Sequence, residues 1–289
     1  MPHPEAAMLA ETAFAKVNLA LHVRDRRPDG YHALESLFVF AKDGDLLSGS
    51  LGHGEEISLT LDGPFGKALG SGTDNLVMKA ARALQERLGE ARGAALKLTK
   101  NLPVASGIGG GSADAAATLR LLNRLWDAQL PGAELERIGL SLGSDVPACV
   151  SSVTQMVRGR GEVLEPLDVQ GLEGAAMLLV NPGVGVSTAN VFSRWDKLDR
   201  GPLTAATLDD VIASARNDLE PAAIAVAPVI ADVLSLLWEQ AGVRLARMSG
   251  SGATCFALFD DPGGRAVAAR TISAMQPGWW VMETEIGGA

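Results

Sequence analysis

The run Pro103-Val104-Ala105-Ser106-Gly107-Ile108-Gly109-Gly110-Gly111-Ser112-Ala113-Asp114-Ala115-Ala116 joins a glycine-rich loop to an alanine- and leucine-rich helix. Such a junction can bind phosphate. Glycines permit positive φ and close backbone approach, while a helix N-terminus aims unpaired N–H groups and the positive end of its dipole at an anion. The competing reading is a plain connector before a helix capped by Ser112 or Asp114, because such residues are ordinary caps and the chain holds 33 glycines. The surroundings favour the anion site. An apolar, β-leaning stretch at 94–98 precedes the loop, and the helix expected over 113–126 keeps small residues, Ala113, Ala115, Ala116 and Ala117, in its first turns, where a bulky ligand would need room.

Better-known phosphate loops do not fit. The only Gly-Lys pair, Gly66-Lys67, is followed by Ala68 rather than Ser or Thr, and Ser112 stands where a dinucleotide fingerprint needs its third glycine. A second cluster, Met248-Ser249-Gly250-Ser251-Gly252-Ala253-Thr254, reads alone as a hairpin turn between two strands. Paired with the first, it is a candidate second wall for a triphosphate.

Three polar residues stand out from apolar surroundings. Residues 13–23 alternate as a strand does, which puts Phe14, Lys16, Asn18 and Ala20 on one face and Ala15, Val17, Leu19 and Leu21 on the other. A solvated face is the default for Lys16, although its apolar neighbours favour shelter. Asp145, in Leu142-Gly143-Ser144-Asp145-Val146-Pro147, has the plain alternative of starting a turn.

The 289 residues suffice for two domains, and 47% apolar with 20% charged residues implies real cores. A net charge of -9 argues against nucleic acid or an anionic membrane as partner, so an anionic substrate must be held by local groups. Cys149 and Cys255 lack metal-type spacing, and the four histidines form no HExxH pattern, so neither a disulfide scaffold nor a zinc site is expected. No basic-then-apolar leader opens the chain, and the longest apolar stretch, 222–229, is far short of a span. A cytoplasmic protein is expected.

The elements that must position these residues can be read in outline. Strands are expected at 34–40, 57–61 and 94–99, with a turn at Pro28-Asp29-Gly30. Helices are expected at 74–88, started by Thr73 or Asp74, and at 133–142. After Glu165-Pro166 a new pattern begins: strands at 175–180, 243–247 and 254–259, and helices at 187–195, 228–241 and 264–274. That order suggests an α+β sandwich, with domains at 1–166 and 167–289.

Taken together, the chain resembles the GHMP kinase superfamily over nearly its whole length. The resemblance rests on Ala13-Phe14-Ala15-Lys16-Val17-Asn18-Leu19, Arg27-Pro28-Asp29-Gly30-Tyr31-His32, Asp74-Asn75-Leu76, the loop from Pro103, the Asp145 segment and Ser249-Gly250-Ser251-Gly252-Ala253. The Lys-x-Asn-Leu opening with its downstream Asp-Gly-Tyr-His is the specific part of the resemblance, which implies the branch whose acceptor carries a diphosphocytidyl group. The loop departs mildly from that pattern, with Ala105 and Ser106 where more glycine is usual.

The resemblance implies a two-domain α+β fold, an N-terminal domain like domain 2 of ribosomal protein S5 and a ferredoxin-like C-terminal domain, with the active site in the cleft between domains. It implies transfer of the γ-phosphoryl group of ATP, with Mg2+ as counter-ion, to the acceptor's 2-hydroxyl in non-mevalonate isoprenoid precursor synthesis. Asp145 would take the proton and Lys16 would stabilise the alkoxide. Pro103, Val104, Ala105, Ser106, Gly107, Ile108, Gly109, Gly110, Gly111, Ser112 and Ala113 would bind ATP, with Asn75 and Lys100 near the adenosine. Tyr31, His32 and Phe192 would surround the cytosine, while Asn18, Thr188, Gly250, Ser251 and Gly252 would touch the acceptor. A homoserine or mevalonate kinase of the same superfamily, and a non-catalytic sensor, are the rival readings; a dehydrogenase is a poor third.

Overall fold

A computed structural model describes residues 8–26, 32–89 and 92–288. The turn expected at Pro28-Asp29-Gly30, and Tyr31 beside it, lie outside the described residues. Contacts group the chain into two units, one of residues 1–15, 43–104 and 110–152, the other of 16–42, 105–109 and 153–289. The chain passes from one to the other within two long strands, β1 (Leu9–Arg26) and β2 (His32–Leu51), and again on either side of residues 105–109.

In the first unit, β3 (Ile57–Asp62) lies parallel to β4 (Ala94–Thr99), with Ile57 opposite Ala94. A parallel pair needs a crossover, and α1 (Leu76–Leu88) lies within it. On its other side β4 runs antiparallel to the far end of β2, Leu46 opposite Thr99. Its alternation is direct: Ala94, Leu96 and Leu98 are buried while Ala95 and Lys97 are exposed. Helix α1 is capped by Asn75, whose side chain accepts the Val77 N–H at 2.9 Å, rather than by Thr73 or Asp74. Asn75 is the last extended residue before the helix, and only from there does a side-chain oxygen reach the second free N–H.

Three helices complete this unit: α2 (Gly110–Leu125), α3 (Gly132–Leu142) and α4 (Val146–Ser151). Helix α2 starts at Gly110, earlier than the sequence suggested, so Ser112 and Asp114 lie inside it and neither caps it. Its alanines serve packing. Ala113, Ala115, Ala116 and Ala117 are at most 2% exposed, because α2 is packed by α1, α3 and α4, and small side chains let helices approach closely. Arg120 of α2 donates to the carbonyls of Cys149 (2.6 Å) and Thr12 (2.9 Å) and pairs with Glu11, tying the end of α4 to the start of β1.

In the second unit, the near end of β2 pairs antiparallel with β5 (Gln155–Gly159), which pairs with β6 (Val163–Pro166). A separate antiparallel sheet holds β7 (Ala176–Asn181), β8 (Val243–Met248), β9 (Cys255–Phe259) and β10 (Trp280–Glu285) in the order β10-β7-β9-β8. With α8 (Val229–Trp238) leading into β8 and α9 (Pro262–Met275) between β9 and β10, this is the ferredoxin-like arrangement. Between β7 and α8 lie α5 (Thr188–Ser193), α6 (Leu208–Ser214) and α7 (Glu220–Val226). The core joins Leu178, Val180, Ala257 and Phe259 of the sheet to Ile230, Val233 and Leu237 of α8 and Ile272 of α9.

Several elements escaped the sequence reading. The short strands β5 and β6 and the partly exposed edge strand β10 show weak alternation, while α7 sits inside a stretch read only as apolar.

Strand β1 is anchored in this unit by Leu21, which donates to the Arg216 carbonyl and accepts from the Asp218 N–H, both at 2.8 Å. His22 beside it is buried, with Nδ1 at 3.2 Å from the Gly201 carbonyl and Nε2 accepting the Arg216 N–H at 3.4 Å. That pattern requires the neutral ring. Burial first, and the Arg216 charge second, lower its pKa from 6.5. A pKa lower in the folded than in the unfolded state means that stability is full above the unfolded value and is lost as pH falls through 6.5. Urea unfolding of the wild type and of His22→Gln between pH 8 and pH 5 should therefore show a steeper acid loss in the wild type; parallel curves would remove His22 from the pH response.

Candidate active site

In the second unit, Lys16 is 4% exposed although it lies in an apolar strand. Its ammonium donates to Asn18 Oδ1 at 2.9 Å and stands 4.4 Å from the centroid of the Phe38 ring, a cation–π distance. The Lys16 N–H donates to the Ile108 carbonyl at 3.0 Å, which joins β1 to the glycine loop. Asn18 is held in turn: its Nδ2 donates to Ser36 Oγ at 2.9 Å, and its backbone N–H donates to Ser249 Oγ at 3.0 Å. The face is thus a buried polar cluster rather than a solvated one, as the apolar neighbours of Lys16 favoured.

The two glycine clusters meet here. Ser249 Oγ donates to the Gly107 carbonyl at 3.0 Å, and the Thr254 N–H donates to the Ser106 carbonyl at 3.0 Å. Gly107 has φ +84, and a Cβ there would fall 2.6 Å from the Ser249 carbonyl oxygen. Gly109, at φ +64, lies so close to Lys16 that a Cβ would come within 3.0 Å of its Cε. Segment 249–254 joins β8 to β9 as a hairpin connection and also braces residues 106–107. Ser251 Oγ lies 2.8 Å from Thr188 Oγ1, and Asn217 donates to the carbonyls of Met248 and Gly250, each at 2.8 Å. Arg247, buried, donates to the carbonyls of Leu19 (2.6 Å) and Ala215 (2.5 Å); burial, partly offset by Glu220, lowers its pKa to about 10.

Ala105 is an exposed non-glycine residue at φ +52. It takes the left-handed conformation, at a cost of about 1 kcal/mol for a residue with a Cβ. Of the remaining loop residues, Pro103, Ser106, Ile108, Gly110 and Ala113 are buried, Val104 and Gly111 are exposed, and Gly107, Gly109 and Ser112 are half-buried.

In the first unit, Gly110 does not have positive φ; it opens α2, and a Cβ there would sit 3.0 Å from the Lys100 ammonium. A side chain at 110 would therefore crowd the buried Lys100 ammonium. Lys100 is 2% exposed, paired with Asp45 and, at 2.7 Å, with Asp114. Asp45 also accepts the N–H groups of Asn101 (2.5 Å) and Leu102 (2.9 Å). This cluster joins β2, the end of β4 and α2 on both flanks of the loop. The sequence reading missed it because Asp45 lies 55 residues from Lys100 and Asp114 looked like a helix cap. Asn75 spends its side chain on the α1 cap and the Gly70 carbonyl. Asp145 is half-buried at the start of α4, without a capping bond of its own.

His32 and Phe192, both in the second unit, stack with centroids 4.8 Å apart, and Trp195 meets His32 edge-on at 5.6 Å. Burial lowers the His32 pKa, with the Arg26 charge adding to the effect. Thr188, the first residue of α5 and one turn before Phe192, is exposed.

Residues 75–152 match the N-terminal domain of the GHMP kinases, and residues 205–277 match their C-terminal domain. The chain belongs to the GHMP kinase family. It is 48% identical over 286 residues, 98% of this chain and 97% of the other, to 4-diphosphocytidyl-2-C-methyl-D-erythritol kinase of Rhizorhabdus wittichii. It is 49% identical over 293 residues, 97% and 99% of the two chains, to the protein of the same name from Methylorubrum extorquens. Among solved structures, a 4-(cytidine 5'-diphospho)-2C-methyl-D-erythritol kinase superposes with a TM-score of 0.83 at 31% identity, over 97% of this chain and 100% of that one. Homoserine kinase from Cytophaga hutchinsonii, at 18% identity, shares the fold with a TM-score of 0.74 over 99% and 97% of the two chains.

The ion cluster of the first unit makes a prediction about pH. Burial raises the Asp114 pKa from 3.8 to about 7, against the pull of Lys100 and with the help of Asp45. A carboxyl with a higher pKa in the folded state keeps its proton longer than in the unfolded chain, so stability falls as pH rises from about 4 to about 7. Asp114→Asn, which cannot ionise, should lack this loss. Chemical unfolding at pH 5, 6, 7 and 8 measures it, and an equal decline in both proteins would contradict the assignment.

Proposed function

We propose that this GHMP kinase transfers the γ-phosphoryl group of ATP to the 2-hydroxyl of 4-diphosphocytidyl-2-C-methyl-D-erythritol, in the non-mevalonate route to isoprenoid precursors. The observation that carries this reading is the full-length likeness, at 48% identity, to relatives named for that activity. Proteins of the homoserine type share the fold at 18% identity, which carries no substrate with it.

The proposed chemistry follows from the residues. Phosphoryl transfer needs positioning and charge stabilisation more than covalent participation by the protein. The backbone of the loop from Gly107 to Ser112 holds the phosphates, with α2 directed from it. ATP enters with Mg2+ on its phosphates as part of the substrate; among the described residues no group of three or more His, Cys, Asp or Glu is placed to hold a metal. Asp145 accepts the proton of the 2-hydroxyl, and Lys16 stabilises the alkoxide that develops. Support for Lys16 comes from the way Asn18 and Phe38 fix its ammonium in a sheltered place, where a charge acts more strongly than in water.

His32, Phe192 and Thr188 are proposed on the acceptor side, and the resemblance adds Tyr31 of the same motif to the proposal. Asn18, Gly250, Ser251 and Gly252 support that side through the contacts of the second glycine cluster. Asn75 and Lys100 are proposed near the adenosine, where the α1 cap and the buried ion cluster hold their side chains. The two family domains we assign, residues 1–166 and 167–289, each contain one of the matched stretches. No helix of the described residues is long and apolar enough to cross a membrane, and we place the enzyme in the cytoplasm, with its substrate ATP.

The test is a steady-state assay that offers the cytidyl acceptor beside homoserine and mevalonate. Turnover restricted to the cytidyl acceptor is expected, and preference for either small alcohol would replace this reading. In the same assay Asp145→Asn should lose about 10² to 10⁴-fold in kcat while nucleotide affinity is kept. Lys16→Met should lower kcat more than it raises the acceptor KM, since its charge acts on the transition state; a change in KM alone would make Lys16 a binding group.

A further inference from the structure

Trp195 is 5% exposed and belongs to the core of the second unit with Val191, Leu219 and Ala223, while Phe192 packs against that core. Its backbone N–H donates to the Phe192 carbonyl at 3.2 Å, in the turn that follows α5, so the two residues are held close together at the end of that short helix. Each ring meets His32. Phe192 covers a face of the imidazole, with planes 27° apart, and Trp195 stands edge-on to it at 88°. A stacked neighbour alone leaves an imidazole free to slide across the ring face by small χ1 and χ2 changes. A face contact and an edge contact together restrict both motions.

The Trp195 indole N–H is buried and makes no hydrogen bond in the structure. A buried donor without an acceptor is a cost that phenylalanine would not carry. What the fold uses at this position is therefore the ring and its edge.

We infer that Trp195 is a positioning residue for acceptor specificity, which holds the plane of the His32 imidazole so that His32 can read the edge of a pyrimidine. This rests on the acceptor-side reading of His32 and Phe192 given above. Donor and acceptor exchange places between cytosine and uracil, and a hydrogen bond that reads the difference is directional, so it is strongest when the imidazole is held in one plane. Loss of the edge contact should loosen selection and leave the chemical step alone.

The experiment compares the wild type with Trp195→Leu, which removes the aromatic edge, and Trp195→Phe, which keeps an edge and deletes the unpaired N–H. Kinetics are measured with cytidyl and uridyl acceptors, with Phe192→Ala as reference. Trp195→Leu should raise the acceptor KM roughly three- to tenfold and narrow the cytidyl preference by a similar factor, with kcat and the KM for ATP within about twofold of wild type. Trp195→Phe should keep the cytidyl selectivity of the wild type. A selectivity loss in Trp195→Phe equal to that in Trp195→Leu would show that the N–H is used and overturn the inference. An effect of Phe192→Ala without one of Trp195→Leu would overturn it while sparing the acceptor-side reading; if neither variant moves the acceptor KM, both fall. Should Trp195→Leu fail to fold, NMR of wild type and Trp195→Phe decides: the His32 ring protons should keep one ring-current-shifted, slowly reorienting state in both, and averaged His32 signals in the wild type would overturn the inference.

Discussion

The second unit is organised around keeping a cation in an apolar strand. Lys16 has 4% of its surface exposed, and an ammonium so placed persists only when compensating groups lie close by. Asn18 supplies the oxygen and Phe38 the ring face. Asn18 can do so only because Ser36 and Ser249 hold its amide and its backbone. Ser249 also grips the Gly107 carbonyl, so the loop, the second glycine cluster and the lysine form one hydrogen-bonded assembly. Removing any member leaves a buried polar group unpaired, which is why the strand, the hairpin connection and the loop must be placed together.

The first unit solves a related problem with full charges. Asp45, Lys100 and Asp114 are each at most 3% exposed and lie on three different elements. Two carboxylates around one ammonium leave an excess negative charge in a poorly solvated place, and Asp114 Oδ1 has no donor. The raised pKa of Asp114 is the response to that excess. The same cluster bonds the backbone at Asn101 and Leu102 and sets the closeness of Gly110, so the start of α2 depends on a network with no local signature in the sequence.

Much of the fold was legible because it depends on periodicity and local caps. The alternation of β4, the start of α3 and the strands β7, β8 and β9 followed within a residue or two, since burial on one or both faces writes itself directly into the pattern. Boundaries failed where two capping residues competed, as at Asn75, and where glycines belonged to the helix, as at Gly110. The alanines of α2 were seen correctly as small, but the reason differed: they face neighbouring helices.

By itself the sequence determined the family, the two glycine clusters, the Lys-x-Asn pair and the aspartate before Val-Pro, because these are local strings whose residue types carry their chemistry. Only the tertiary structure decided that Ser36, Phe38 and Ser249 hold the lysine pair, that Asp45 and Asp114 share Lys100, and that Trp195 stands against His32. Each of those relations joins residues from different elements. Hydrogen bonds and ring contacts act over a few ångströms of space, and the spacing of residues along a chain does not reveal which of them the fold will bring within that range.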